Sequence, residues 1–336
     1  MKRILPKILA IGLVAIILGA IVFAVGLAAA KWDIRKISGI TVTEDTYTET
    51  GAAQNINIKL DVTDLTVVFD ENADKISLVY PTEKNKKDEV ISEFVIDESG
   101  NTLNLTQKSN WKRQTILFNF TSTKATLTVP AGRIVSLNVK TDTGDVKIQG
   151  NATLTNSSIE TDTGDVSIEK IDTDTLNIKV DTGKITVKGG TATNKISCES
   201  NTGDIRFSGN INSDAVEVKT DTGDFKIDGD LTSDTVTAET DTGDVEIRGN
   251  LTASLINIDT DTGDVESEHC VIDSARIIIT TDTGDVEITV AGNPPDYQVM
   301  LDIGTGDSNI KPNLTGTRLL SFESDTGDLT VRFAGN

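Results

Sequence analysis

The chain has 336 residues, of which 37% are hydrophobic and only 4% aromatic, and its formal net charge is −21. This length allows a sizeable core, and the scarcity of aromatic residues indicates a core of stacked aliphatic layers. The acidic balance argues against nucleic acid as a partner, because phosphate contacts require clustered lysine and arginine.

The first predicted element is a hydrophobic helix. Residues 8–30 are 23 consecutive uncharged, mostly aliphatic positions, preceded by Lys2, Arg3 and Lys7. As a helix the run would extend roughly 34 Å at ~1.5 Å per residue, which is enough to cross a bilayer. The basic leader predicts that the N-terminus stays in the cytoplasm and that the chain after Lys31 is exported.

Residues 1–31 are therefore predicted to be a cytoplasmic leader and an uncleaved signal anchor. The protein would cross the cell membrane once, with its C-terminal region extracellular. Cleavage stays an alternative, because alanines at 28–30 suit a signal peptidase, but the run exceeds the ~7–15 residues of a signal core. Ala20, Ala24 and Ala28 would let a second helix approach closely, although ordinary lipid-facing alanines explain the same spacing.

Residues 32–135 are predicted to form irregular β coils and an N-terminal cap that shields the first edge of a repeat array. The segment Asn110–Arg113 is cationic and contains a tryptophan, and it is interpreted as a solvated loop. The strand-like segments of this region are Ile56–Leu60, Leu65–Phe69, Ile76–Tyr80, Thr102–Thr106 and Ala125–Val129.

Residues 136–336 are dominated by a block whose fullest form is Thr-Asp-Thr-Gly-Asp followed by an aliphatic residue. A period near twenty predicts one solenoid coil per copy. The ten block glycines, spaced 19 to 22 residues apart, are Gly144, Gly164, Gly183, Gly203, Gly223, Gly243, Gly263, Gly284, Gly306 and Gly327.

Apolar residues alternate on both sides of each block, as at Leu137 and Val139 before it and Val146 and Ile148 after it. Period two predicts two strands per coil, each with one buried face. A third short side is predicted from an apolar residue eight positions after the glycine, at Ile211, Leu231, Leu251 and Val271. A second turn, where left-handed backbone suits glycine, is predicted at Gly150, Gly209, Gly229 and Gly249.

Within the block, the first aspartate is predicted to accept backbone N–H groups as an Asx turn, and the glycine is predicted to take positive φ. Aspartic proteases also use an Asp-Thr-Gly triplet. Here the triplet recurs as the corner of every coil, whereas a protease needs two aspartates brought together with a shared proton.

The position two residues before the first aspartate of each block alternates between lysine and glutamate, and this alternation indicates how the coils are arranged. If equivalent residues of successive coils stack about 4.8 Å apart, each lysine lies between glutamates, and each exposed pair gains a few tenths of a kcal/mol. A hairpin meander would not bring these residues together. The alternating positions are Lys140, Glu160, Lys179, Glu199, Lys219 and Glu239.

We therefore predict an all-β fold, a parallel, right-handed β-solenoid of about ten 20-residue coils with irregular N-terminal coils, preceded by one transmembrane helix. Ten coils would form a rod roughly 48 Å long.

The same stacking places the block aspartates in two like-charged columns, at a cost of up to about 1 kcal/mol per neighbouring pair in water. Backbone hydrogen bonds, Lys184, Asn201 or bound cations are predicted to offset this repulsion. A calcium-stabilised array stays an alternative, although the period departs from the nine-residue repeat of known calcium-binding solenoids.

No motif predicts catalysis, and no catalytic, cofactor-binding or metal-binding residue is assigned. The single histidine, His269, occupies a turn position that is glycine elsewhere. Cys198 occupies an inward position and is predicted to be a buried thiol. It lies more than three coils from Cys270, roughly 15 Å along the axis, which is beyond the ~7 Å limit for a disulfide. The final strand, Leu329–Phe333, is predicted to be a bare sheet edge open to self-association.

Three segments are similar to a known family. They are LTVPAGRIVSLNVKTDTGDVKIQG, residues 127–150, and the later segments SIETDTGDVSI and VEVKTDTGDFKI. They resemble the bacterial β-strand-repeat family of putative adhesins, a domain of unknown function. The resemblance covers most of the exported part and implies the repeat fold, often behind a membrane segment. It implies no functional residues.

The expected function is a non-enzymatic, membrane-anchored extracellular β-solenoid that acts as an adhesin-like or envelope-associated binding scaffold. Its partner would be an unknown surface ligand or envelope protein. Two alternatives stay open, an envelope-stress sensor or modulator that acts through a membrane partner, and a calcium-stabilised surface repeat protein.

Overall fold

The protein is all-β, and its strands wind into a parallel β-solenoid of about ten turns, as predicted. The structure, a computed structural model, describes residues 40–109 and 123–335. The predicted transmembrane span, residues 8–30, and the segment Asn110–Arg113 lie outside these ranges. Within them, no helix combines the length and the hydropathy needed to cross a bilayer.

Among residues 40–109 and 123–135, seven strands precede the repeats. Their alternating buried and exposed positions follow the period-two pattern of the sequence. They are β1 (Thr41–Thr48), β2 (Asn55–Leu60), β3 (Thr63–Asp70), β4 (Ser77–Lys84), β5 (Val90–Ser99), β6 (Thr102–Ser109) and β7 (Thr123–Pro130).

The repeats supply the remaining strands. They are β8 (Ser136–Thr143), β9 (Val146–Thr153), β10 (Asn156–Thr163), β11 (Val166–Thr182), β12 (Ile185–Val187), β13 (Gly190–Thr202), β14 (Ile205–Phe207), β15 (Ile211–Thr222), β16 (Phe225–Ile227), β17 (Leu231–Thr242), β18 (Val245–Ile247), β19 (Leu251–Thr262), β20 (Val265–Ser267), β21 (Ile272–Thr283), β22 (Val286–Val290), β23 (Tyr297–Thr305), β24 (Arg318–Thr326) and β25 (Leu329–Phe333). One 3-10 helix, Pro294–Asp296, precedes β23.

Each coil has three sides, as the sequence predicts. In β15 the parallel ladder runs to Ser213, skips Asp214 and resumes at Ala215, so the strand bends and supplies two sides. The part of β15 from Ala215 onward is the first side of a coil, the block turn follows, and the short β16 forms the second side. The start of the next long strand, at Leu231 in β17, forms the third side. Equivalent residues stack in register, since Val216 pairs with Ile196 on one side and Val236 on the other.

The inward columns form one continuous hydrophobic core from Ala53 to Val331. Small aliphatic side chains fill most layers, and the two phenylalanines of adjacent second sides, Phe207 and Phe225, pack edge to face with ring centroids 5.4 Å apart. Cys198 lies in this core between Ile178 and Val218, as predicted.

The third-side residue of the seventh repeat was predicted wrongly. Leu251 pairs with Ile272, not Val271, and Ile272 is fully buried. This repeat contains one extra residue in its second turn. The insertion is accommodated at His269, whose φ of 58° is unusual for a residue with a side chain.

The glycines of the second turn also differ from expectation. Gly150 has positive φ, at 80°, but Gly209, Gly229 and Gly249 do not. Close stacking explains them instead, because a Cβ on Gly229 would lie 2.4 Å from the carbonyl oxygen of Gly209. Only a residue without a side chain lets these turns approach so closely.

The chain order and the stacking order differ at the N-terminal end. β2 lies between β6 and β8, and β3 lies between β7 and β9, all parallel. The coil of β6 and β7 is therefore the outermost one, although it follows β2 and β3 in sequence. β5 pairs antiparallel with β6, and β4 pairs antiparallel with β7 and β1, so the outer edge of this coil is covered.

The C-terminal end shows the same exchange, and it corrects the prediction of a bare terminal strand. β24 lies between β21 and β23, and β25 pairs with β22. The outer edge of β25 is covered by residues 307–309, where the Asn309 side chain exchanges two hydrogen bonds of 2.9 Å with Val331. The outermost coil therefore begins at Tyr297, directly after the 3-10 helix that contains the two prolines.

Candidate binding surface

The block turns stack so closely that their glycines form a column without side chains. Gly243 has a φ of 149°, and a Cβ at this position would lie 2.1 Å from the carbonyl oxygen of Gly223. The same holds along the column, and the predicted positive φ of the block glycines is confirmed. Both the backbone conformation and the contact between coils require glycine here.

The second aspartate of each block builds a ladder between coils. The Oδ1 atom of Asp224 accepts a hydrogen bond of 3.0 Å from the backbone N–H of Asp244, and Asp244 accepts one of 2.9 Å from Asp264. Lys184 lies in this column and donates its own N–H to Asp165 at 2.9 Å. The role predicted for the first aspartate, binding backbone N–H groups, thus belongs to the second and links neighbouring coils.

This ladder offsets part of the charge repulsion in the column. A hydrogen bond to a charged acceptor contributes about 1.5–3 kcal/mol to stability, which is more than a hydrogen bond between neutral groups contributes. Lysines add to it, since Lys184 Nζ lies 2.8 Å from Asp204 Oδ2 and Lys226 Nζ lies 2.9 Å from Asp224 Oδ2. The hydrogen bond from Lys184 is the main cause that holds the pKa of Asp204 below its usual range.

The first aspartates and the second threonines of the blocks form the exposed corner of the rod. Asp142 and Thr143 are exposed, whereas Thr141 is buried. In later coils the hydroxyl of this buried threonine donates a hydrogen bond to the block glycine of the preceding coil, as Thr220 Oγ1 does to the Gly203 carbonyl at 3.2 Å. The Asp-Thr-Gly triplet is therefore a structural corner with one polar face.

The described residues contain no group of three or more histidine, cysteine, aspartate or glutamate side chains placed to hold a metal ion. The geometry gives a physical reason. One oxygen of each second aspartate faces the next backbone N–H, so the ladder does not gather several carboxylates around one point as calcium requires.

The alternating lysine and glutamate column runs along the first side of the coils. Lys140 Nζ lies 2.5 Å from Glu160 Oε1, Lys179 bonds Glu199 at 2.8 Å, and Lys219 bonds Glu239. Because these side chains are nearly half exposed and screened by solvent, each pair adds little to stability. The stacked arrangement deduced from this alternation is confirmed.

The alternation breaks at two places within this column. Glu239 is followed by Asp259 in register, and burial, together with the charge of Glu239, raises the pKa of Asp259. At the other end, Lys59 of β2 lies in register with Lys140. This second break was not predicted, because β2 is distant from β8 in sequence.

A ladder of asparagines runs beside the two lysines. Asn138 Nδ2 donates to Asn57 Oδ1 at 3.0 Å, and Asn57 Nδ2 donates to Asn104 Oδ1 at 3.0 Å. With the lysines, Ser158 and Glu160, the ion-pair partner of Lys140, these residues line an open groove of about 270 Å³. The groove lies on the first side, next to the N-terminal end of the solenoid.

Sequence reasoning also missed an additional copy of the block turn. Asp61-Val62-Thr63-Asp64 precedes Leu65 and stacks on the first recognised block. The Asp145 N–H donates to Asp64 Oδ1 at 3.0 Å, which extends the aspartate ladder by one coil. The available signal was an aspartate followed by alternating aliphatic residues, without the glycine.

The two cysteines and the histidine form no reactive cluster. Cys198 and Cys270 are both free and buried, and burial raises the pKa of the Cys198 thiol to about 12. Such a thiol is inert at neutral pH.

Comparison with known proteins gives one family and several similar structures. A family model described as Toastrack DUF4097 matches residues 54–215 and 208–336. Similar solved structures include a putative adhesin from Bacteroides fragilis, with 18% identity over 68% of this chain and 97% of that one and a TM-score of 0.49. Another, from Parabacteroides merdae, has 15% identity over 74% of this chain and 96% of that one and a TM-score of 0.48. A search of curated proteins gives no match.

Proposed function

Because the chain belongs to the Toastrack DUF4097 family, whose fold supplies a long regular surface, we propose that it is a non-enzymatic binding scaffold of the bacterial envelope. Residues 8–30 anchor it in the cell membrane, and the solenoid projects outside the cell, where it binds a surface ligand or an envelope protein. This is an adhesin-like role.

The observation that carries the proposal is the continuous polar first side of the rod. Columns of asparagine, serine, threonine, lysine and glutamate follow the axis in register from β6 to β21. Their backbone is held by parallel ladders over a core of aliphatic layers, so the surface is rigid. A rigid surface loses little conformational entropy when it binds a partner.

The pattern of ionisable groups supports a binding role over catalysis. Within the described residues, the carboxyl groups with shifted pKa values lie on different strands or turns. Burial raises the pKa values of Glu83, Asp259 and Glu266, hydrogen bonds lower that of Glu98, and the hydrogen bond from Lys184 lowers that of Asp204. An enzyme of this fold would be expected to gather an acid, a base and a substrate pocket at one place. The polar groups here are instead distributed along the rod.

Membrane anchoring can be tested on the full chain expressed in bacterial cells. We expect it to stay in the membrane fraction after alkaline carbonate extraction, with its solenoid digested by protease added to intact cells or spheroplasts. Replacing both Ile16 and Ile17 by arginine should release the protein, since each arginine costs about 2.5–3.5 kcal/mol at the centre of a span. The Ile16→Leu variant is the matched control, and carbonate release of the unmodified chain would refute the anchor.

Binding can be tested with the full chain in lipid nanodiscs. Fragments of bacterial envelope should be retained by loaded nanodiscs and not by empty ones. Equal retention by both would refute the scaffold function.

A further inference from the structure

We infer that the groove beside Lys59 and Lys140 binds an acidic saccharide, through the carboxylate and the hydroxyl groups of one or two sugar residues. This inference rests on the proposed scaffold function and names the class of its ligand. The groove, its lysine pair and its asparagine ladder are the three observations that carry it.

The lysine pair is a local exception in a strongly acidic protein. Lys59 is exposed, and among the described residues no carboxylate lies within ion-pair distance of it. Its neighbours in register are Thr106 and Lys140. Like charges placed opposite each other in a sheet are destabilising, whereas the next steps of this column alternate in sign. Lys140 is already paired with Glu160, which also lines the groove, whereas Lys59 has no such partner in the described part of the chain. A bound carboxylate would therefore accept a charge-assisted hydrogen bond from the Lys59 ammonium and relieve its repulsion with Lys140.

The asparagine ladder supplies groups for hydroxyl recognition. Each carboxamide carries two N–H donors and a carbonyl acceptor, and the ladder uses only part of this capacity. All three amides are fixed in one direction, since Asn104 Nδ2 in turn lies 3.5 Å from Asp97 Oδ2. The carbonyl of Asn138, at the other end, accepts no bond within the ladder. A ligand therefore meets donors and acceptors that are already ordered.

The dimensions fit a short part of a longer chain. The groove volume of about 270 Å³ is slightly below the about 300–1,000 Å³ of pockets for drug-sized ligands. The groove is open, so further sugar residues can continue along the first side, where Ser136 and Asn55 form a second polar column joined by a 2.9 Å hydrogen bond. The net charge of −21 repels anions at long range, but salt screens this field within about 8 Å at physiological ionic strength.

The test is a calorimetric titration of the full chain in nanodiscs with tetragalacturonate and, separately, with neutral maltotetraose. We expect tetragalacturonate to bind, and maltotetraose to bind at least fivefold more weakly. The Lys59→Gln variant should weaken tetragalacturonate binding about fivefold and leave maltotetraose binding unchanged. Lys311→Gln removes the same charge from an exposed lysine at the opposite end and should change neither titration.

Folding and function are separated by two further measurements. Lys59→Gln should not lower the melting temperature, because it removes a repulsive pair. If the wild type does not bind tetragalacturonate, or if Lys59→Gln and Lys311→Gln bind it equally well, the groove assignment is wrong. Envelope retention by Lys59→Gln nanodiscs then reports separately on the scaffold function, which stands if retention persists.

Discussion

The stacked corner glycines give the most direct test of the solenoid, through the substitution Gly243→Ala. Gly243 has a φ of 149°, and its new methyl group would lie 2.1 Å from the Gly223 oxygen and 2.5 Å from the Gly223 carbonyl carbon. Positive φ costs about 1–3 kcal/mol for a residue with a side chain. Forcing the two coils apart adds about 1–3 kcal/mol, as overpacking does in other cores.

The matched control is Gly132→Ala. Gly132 also has positive φ, at 74°, but a Cβ there would have no neighbour within 4 Å. This control therefore contains the backbone strain without the steric contact. The difference between the two variants reports the contact between coils together with the additional strain of the larger φ at Gly243, and we expect Gly243→Ala to be less stable by about 1–3 kcal/mol.

Equilibrium urea unfolding followed by far-ultraviolet circular dichroism measures the difference. Native-state hydrogen exchange locates it, because each coil of a solenoid contacts only its neighbours. Faster exchange should appear in β16 to β19, next to Gly243, and not at the two ends. Equal losses of stability in both variants would show that the corners do not stack as described.

Three further predictions concern the aspartate ladder, a buried carboxyl and a buried thiol. Asp264→Ala should lower the free energy of unfolding in urea by about 1–3 kcal/mol, because it leaves the Asp285 N–H without its acceptor. Asp264→Asn keeps an acceptor and removes a repulsive charge, so it should change this free energy by less than about 0.5 kcal/mol. Burial raises the pKa of Glu83, so the protonated carboxyl favours folding at low pH, and this contribution is lost as pH rises through the raised pKa. Glu83→Gln should therefore be more stable than the wild type at pH 7 and equal to it near pH 3. A gain in stability that is independent of pH would contradict this. Cys198 should react with a thiol reagent at pH 8 only after unfolding, and rapid reaction of the native protein at this residue, identified by mass spectrometry, would show that it is not buried.

The regular part of the fold was predictable from sequence because every copy of the repeat carries the same signals for its strands, its corner and its register. The alternation of Val216 and Val218 defines a buried face, and the charges of Lys219 and Glu239 define the register between coils. The glycine of each block then identifies the corner. These signals are local, and each later copy repeats them.

The order of the coils at both ends was not predictable in the same way. All coils have the same width and the same inward pattern, so a strand such as β24 fits beside β21 as well as β23 would. The 20-residue period therefore specifies how two coils pair and leaves open which two are neighbours. Chain connections decide that, and the prolines after β22 were visible in sequence only as an interruption.

The candidate groove was missed for the same reason. Asn57 and Lys59 belong to a coil without the block glycine, and they meet Asn138 and Lys140 only because β2 stacks on β8. In sequence these residues are 81 positions apart, so no local spacing joins them. Sites that depend on the irregular coils can be identified only once those coils have been placed in the stack.

Recognition by a regular rod depends on its irregularities. A ligand that contacted only repeated columns could shift by one coil, about 4.8 Å, and find nearly the same surface again. Binding in a single register needs a position that its neighbours do not reproduce. The column from Lys59 to Asp259 has two such positions, the basic pair Lys59 and Lys140 and the acidic pair Glu239 and Asp259. Only the basic pair lies in a groove lined by ordered amides, which is why an anionic ligand is expected at that end of the rod and not along its whole length.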